Sequence, residues 1–161
     1  MNTNTKAIYF DMDGTIADLY SVENWLPMLR AEDPTPYRTA SPMWDMEELA
    51  EILNTLMALG IEVRIITWLS KESSEEYKTA TRKAKREWLD QYSFPYNAFH
   101  GVQYGRTKAD SVRSLLNDDE EAILIDDNSK VRDGWHLGRT IDPTAVNLIE
   151  VLKELAEMEM A

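Results

Sequence analysis

Ile8-Tyr9-Phe10-Asp11-Met12-Asp13-Gly14-Thr15 begins as an apolar, aromatic run and ends in two acids, a glycine and a threonine. The run reads as a buried strand. Alternate residues of an extended chain face the same way only while the strand lasts. Once the chain turns beyond it, Asp11 and Asp13 can both reach into one cleft. Two carboxylates at the carboxyl end of a strand, beside a glycine turn, suit a hard divalent cation and a phosphoryl group.

Working outward, strand-like segments alternate with helical patterns, which predicts an α/β fold around a parallel sheet. Ala7 to Phe10 is the first strand, Ile61 to Thr67 a second rich in β-branched residues, Ala98 to Val102 a third, Ala122 to Ile125 a fourth, and His136 to Ile141 a short fifth. Ser41-Pro42 is expected to open a helix carrying Leu49, Ile52, Leu53, Leu56 and Leu59 on one face, closed by Gly60. Ser73 with Glu76 predicts a capping-box start for a long charged helix reaching about Asp90. Two further helices are expected, over Thr107 to Leu116 and Thr144 to Met158. The segment from Tyr20 to Ala40, with a helical piece over Ser21 to Arg30, breaks the alternation. Its place after the acidic turn reads either as a small lid over the sheet edge or as an ordinary connection.

The length of 161 residues predicts one domain with a small insertion at about 20–40. Hydrophobic residues at 43% and charged residues at 29% fit a globular chain with a core. The net charge of −12 and pI near 4.6 argue against a general polyanion binder, which needs a basic patch. Cysteine is absent, so disulfides and thiolate metal sites are excluded. The opening Met1-Asn2-Thr3-Asn4-Thr5-Lys6 is polar, and no apolar run reaches membrane-spanning length. A cytoplasmic location with no membrane partner is the expectation. The basic run Arg82-Lys83-Ala84-Lys85-Arg86 reads as a solvated helix face paired with nearby acids.

Polar residues stand at several strand ends: Asp11 and Asp13 after the first, Thr67 on the second, Asp126-Asp127 after the fourth, with Lys108 opening the helix before it. In an open parallel sheet such ends converge on one crevice. A carboxylate nucleophile works on a phosphate dianion only if cations neutralise part of the charge. Magnesium with one or two carboxylates, a lysine, a hydroxyl and turn amides meet that need. Asp11 could then attack phosphorus, and Asp13 could protonate the leaving oxygen and later activate water.

Asp11-Met12-Asp13-Gly14-Thr15, Thr67, Lys108 and Asp126-Asp127 resemble, in order and from end to end of the chain, the four motifs of the haloacid dehalogenase (HAD) superfamily. The resemblance implies a three-layer Rossmann-like sheet in the order fifth, fourth, first, second, third strand, with a minimal helical cap. It implies Asp11 as nucleophile and Asp13 as acid/base, Thr67 and Lys108 on phosphate, and Mg2+ held by Asp11, Asp127 and Asp126 with the Asp13 carbonyl. Asp13 turns the expectation from dehalogenase to phosphatase. The layout is most similar to small 5′(3′)-deoxyribonucleotidases, including Leu124-Ile125-Asp126-Asp127 and the Val131-Arg132 that follows.

The expected activity is therefore a Mg-dependent phosphomonoester hydrolase acting on a nucleoside monophosphate, as a 5′-nucleotidase would, or on another small phosphate ester. A phosphatase of nucleic-acid termini and a non-catalytic phosphate-binding regulatory domain are the alternatives. Tyr20, Trp25, Tyr37 and Trp44 are candidate lid aromatics, which could stack on a base or simply pack. Trp68 could offer its amide to phosphate and its ring to the rim.

Overall fold

The computed structural model describes residues 4–71 and 73–161; Met1 to Thr3 of the polar opening lie outside them. Strand β1 (Thr5–Phe10) leads through the acidic turn to β2 (Ala17–Asp18), a short 3-10 turn, α1 (Trp25–Arg30), α2 (Thr35–Thr39) and β3 (Ser41–Pro42). Then follow α3 (Met46–Ala58), β4 (Glu62–Leu69), α4 (Glu75–Gln91), β5 (Ala98–Gln103), α5 (Lys108–Val112), β6 (Glu121–Ile125), α6 (Ser129–Asp133), β7 (Thr140–Ile141) and α7 (Leu148–Met160).

Five strands form a parallel sheet in the order β5-β4-β1-β6-β7. Leaving the separate β2–β3 pair out of the count, this is the expected order. The alternation of β1 sorts the core into two layers. Ile8 and Phe10 join Leu49, Leu53, Trp88 and Leu152 under α3, α4 and α7, while Ala7 and Tyr9 join Val112, Leu124 and Trp135 on the opposite face. Both faces are thus covered, as a parallel sheet requires. The chain leaves β1 toward β4 on one side and returns through β6 on the other. That reversal of direction opens a crevice at the carboxyl end of β1.

Several boundaries differ from the sequence reading. Ser41-Pro42 does not open a helix; it pairs antiparallel with Ala17–Asp18, and α3 starts beyond it with Asp45 accepting from the Glu48 amide. The cap of α4 is Ser74, not Ser73, with its hydroxyl accepting from the Tyr77 amide. The helix expected over Thr107 to Leu116 is α5 followed by a 3-10 turn at Arg113–Leu115. The last helix starts at Leu148 under an Asn147 cap, because Thr144 is held in a turn on Asp142 instead. Regular strand covers only Thr140–Ile141 of the expected fifth strand, although the Leu137 and Arg139 carbonyls already accept from the Ala122 and Leu124 amides of β6. Among the described residues, no helix is long and apolar enough to cross a membrane.

Candidate active site

The acidic turn is built by its own backbone. The Met12 carbonyl accepts from the amides of Thr15, Ile16 and Ala17, and the Asp11 amide is tied to the Ile125 carbonyl of β6. The turn needs φ +82° at Gly14, where a Cβ would run into the Asp127 carboxylate. Both the left-handed backbone and the close approach call for glycine there. Thr15 is fully buried; its hydroxyl lies 3.0 Å from Asp11 Oδ2 and 3.5 Å from Asp127 Oδ1, and it accepts from the Asp127 amide. Thr15 therefore couples the first acidic turn to the second, a role its place in the motif did not disclose.

Lys108, at the first turn of α5, is buried between two carboxylates, with Nζ 3.0 Å from Asp11 Oδ1 and 2.8 Å from Asp126 Oδ2. The Asn128 amide donates to Asp126 Oδ1, and Asn128 itself caps α6, which holds the Asp126-Asp127 pair at the end of β6. Oxygens of Asp11, Asp126 and Asp127 lie within 4.8 Å of one another.

A second lysine enters the site against expectation. Lys85, read in the sequence as part of a solvated basic face, is 1% exposed. Its Nζ donates to Asp13 Oδ2 (3.1 Å), Thr67 Oγ1 (2.6 Å) and the Trp68 carbonyl (3.2 Å). The signal lay in the helical period. Tyr77, Thr81, Ala84, Lys85, Trp88 and Leu89 are the buried stripe of α4, whereas Arg82, Lys83 and Arg86 point outward as expected. Thr67, expected to face phosphate, is fully buried with its hydroxyl on Lys85.

Above these groups lies a cavity of about 720 Å³ whose floor includes Asp11, Asp13, Lys108, Asp126 and Asp127. Its walls are mostly aromatic and apolar, with Ser70, Lys71 and Asn128 as their polar members. Tyr20 packs edge-on against Trp25 on the side of α1, and Trp68 packs edge-on against Tyr104 on the side of β4 and β5. The Trp68 ring also lies over the Lys108 ammonium at 5.3 Å. Tyr37 of α2 lines the cavity and sits over Lys85 at 4.8 Å. Trp44 lies elsewhere. Its indole donates to the Thr15 carbonyl and it lines a different surface hollow, so the structure places it as a brace of the acidic turn.

The charges are crowded. Burial, then Asp11 and Asp126, push the Asp127 carboxyl up to about 7. Asp126 is raised by burial and by Asp11, against the pull of Lys108. Burial raises Asp13 as well, against Lys85. Burial alone would lower Lys108, but Asp11 and Asp126 outweigh it and the net direction is up. Four carboxylates facing two ammonium groups leave a negative excess. Hard oxygen donors with such an excess fit a divalent cation of the magnesium kind.

Comparison with protein-family models found no match, and comparison with curated proteins found none either. Among solved structures, a chain of the Pnkp1/Rnl/Hen1 complex aligns with a TM-score of 0.61 at 16% identity, over 88% of this chain and 46% of that one. A second structure of that assembly, an RNA repair complex, aligns with a TM-score of 0.59 at 16% identity, over 88% and 43%. This chain thus spans less than half the length of the chains it matches there. A HAD-like phosphatase from Mesorhizobium loti aligns with a TM-score of 0.57 at 13% identity, over 99% of this chain and 89% of that one. With the sheet order and the flanking helix layers, these likenesses show that the chain has an α/β, Rossmann-like fold shared with that phosphatase.

Proposed function

We propose that this chain is a HAD-superfamily phosphomonoesterase that uses Mg2+ and an aspartyl-phosphate on Asp11, acting on nucleoside monophosphates or another small phosphate ester. The observation that carries the reading is Asp11 on the cavity floor, held by Lys108 and Thr15, with Asp13 beside it. The Asp11 carboxylate attacks phosphorus as the bond to the leaving oxygen breaks, and Asp13 gives that oxygen a proton. Asp13 then takes a proton from water, which displaces Asp11 and releases inorganic phosphate. Lys108 holds the Asp11 carboxylate in place and adds positive charge beside the phosphoryl group. Asp11, Asp126 and Asp127, with the Asp13 carbonyl, would hold Mg2+, which when bound supplies charge neutralisation at the phosphoryl oxygens. The same intermediate would serve a transferase if an acceptor hydroxyl replaced water.

The segment at about 20–40 fits a small cap on a single α/β domain, since Tyr20, Trp25, Leu26, Leu29 and Tyr37 turn toward the cavity. The two edge-on aromatic pairs favour a leaving group with a flat face, and stacking on an aromatic side chain contributes about 1–3 kcal/mol. This supports a nucleotide. A second reading, the phosphorylated end of a nucleic acid, is favoured by the exposed rim at Tyr20 and Tyr104 and by the likeness to a chain from an RNA repair complex. The net charge of −12 weighs against it.

Phosphate release from nucleoside 5′- and 3′-monophosphates, sugar phosphates and end-phosphorylated oligonucleotides, with Mg2+ or chelator, tests the reading. Magnesium-dependent turnover led by one nucleotide class is expected. Turnover led by oligonucleotide ends would favour the second reading, and none at all from folded protein would overturn both.

The raised Asp127 carboxyl gives a pH prediction. In the metal-free protein the folded state keeps a proton that the unfolded chain has lost, so stability declines as pH rises from about 4 to about 7. A metal ligand must be deprotonated. Mg2+ affinity, read by calorimetry, should therefore rise about tenfold per pH unit up to about 7 and then level off. A flat profile between pH 5.5 and 8 would mean that the Asp127 carboxyl holds no proton in this range and that its burial does not raise it.

A further inference from the structure

Lys85 is a buried cation that the proposed chemistry has not used. An ammonium has three N–H donors and no acceptor, and Lys85 spends all three on Asp13 Oδ2, Thr67 Oγ1 and the Trp68 carbonyl. The Tyr37 ring covers it from α2. Thr67 and the Trp68 carbonyl sit at the end of β4, an interior strand of the sheet, so two of the three bonds anchor Lys85 to a rigid element. The third restrains Asp13, which stands beyond the end of β1 on the acidic turn. Among the described residues, no other side-chain hydrogen bond engages the Asp13 carboxylate. One of its oxygens is therefore fixed, and Oδ1 is left for a substrate.

We propose that Lys85 is a positioning residue, which with Thr67 behind it holds Asp13 Oδ2 so that Oδ1 faces the leaving-group oxygen. The proposal rests on the reading of Asp11 as nucleophile and Asp13 as acid/base. Because Oδ2 accepts from an ammonium, the proton that Asp13 delivers sits on Oδ1, and it passes to the leaving oxygen as that oxygen's bond to phosphorus breaks. Thr67 then acts through Lys85 rather than by touching phosphate, which accounts for its complete burial. Tyr37 makes the arrangement depend on α2, and so ties the acid/base to the segment that roofs the cavity.

A group that serves proton delivery matters only where the leaving group needs a proton. An alkyl phosphate does, whereas p-nitrophenyl phosphate leaves as a stable phenolate. The experiment compares kcat/KM, which stops at the first irreversible step, for both esters in the full-length protein and in Lys85→Met. The expected loss is about 10²-fold for the alkyl ester, the scale of one general acid, and less than about tenfold for the nitrophenyl ester, carried by kcat rather than KM. Lys85→Arg keeps the charge and carries the test if the Met variant melts below the assay temperature; the same selectivity, with a smaller loss, is expected. An equal loss on both esters, or none, in a folded variant overturns the role of Lys85 alone. Wild-type protein inactive on both esters overturns the phosphatase reading and this proposal with it.

Discussion

Asp11→Asn is expected to reduce phosphate release by roughly 10⁴–10⁶-fold, the scale seen when one member of a covalent catalytic unit is removed, while the protein stays folded. The change is isosteric and takes one charge from a site with an excess of carboxylates. Lys108 keeps Asp126 as a partner at 2.8 Å, and the Asn carbonyl can still accept from one neighbour. Stability should therefore change little. The secondary consequence has a definite sign. Asp11 is among the groups that raise Asp126 and Asp127, so both carboxyls should move down in the variant. Turnover and a denaturant melt measured on the same preparation check both parts. Activity above about one-hundredth of wild type, after exclusion of a contaminating phosphatase, would remove Asp11 from the nucleophile role.

The parts of this site that could be read in the chain are those fixed by strand ends. Apolar runs that stop at Asp11 and Asp126 mark where β1 and β6 finish, and their parallel pairing makes the two acidic turns neighbours. Lys108 was legible because a cation in the first turn of a helix gains nothing from the helix dipole and so asks for another partner. Lys85 was hidden by its sequence neighbours. Four cations among Arg82 to Arg86 look like one solvated face, and only the helical period separates the inward member from the rest. Ser41-Pro42 was misread for a different reason. Its partner is Ala17–Asp18, beyond the whole inserted segment, and no local pattern announces a two-residue pairing at that distance. Trp44 falls in the same class, because its partner is the Thr15 carbonyl. Local periodicity reaches one element at a time; contacts that depend on how the insertion folds back do not appear in it.

The largest stability effect should come from Lys108→Met. Methionine fills a similar volume, so packing against Trp68 is kept and the main loss is charge. Removing one partner of a buried ion pair costs about 3–5 kcal/mol, because the other is left uncompensated. Here two carboxylates lose their partner at once. Lys108 is held in its charged form by Asp11 and Asp126, so its contribution is complete at neutral pH and fades only as pH rises above the ordinary lysine range. Burial and the neighbouring carboxylates already raise Asp126 and Asp127 in the intact site, so the site without its lysine relieves its excess charge by taking up protons as pH falls. The deficit of Lys108→Met, read from urea midpoints at pH 5.5 and 8, should therefore be smaller at the lower pH. Turnover should fall by at least about 10²-fold, since a preorganised charge next to the nucleophile is lost. The double variant Lys108→Met/Asp126→Asn separates the two effects. Neutralising Asp126 removes one stranded charge and should restore more than half of the lost stability without restoring turnover. If the double variant is no more stable than the single one, Lys108 holds the fold through packing, and the electrostatic account of the site fails at its centre.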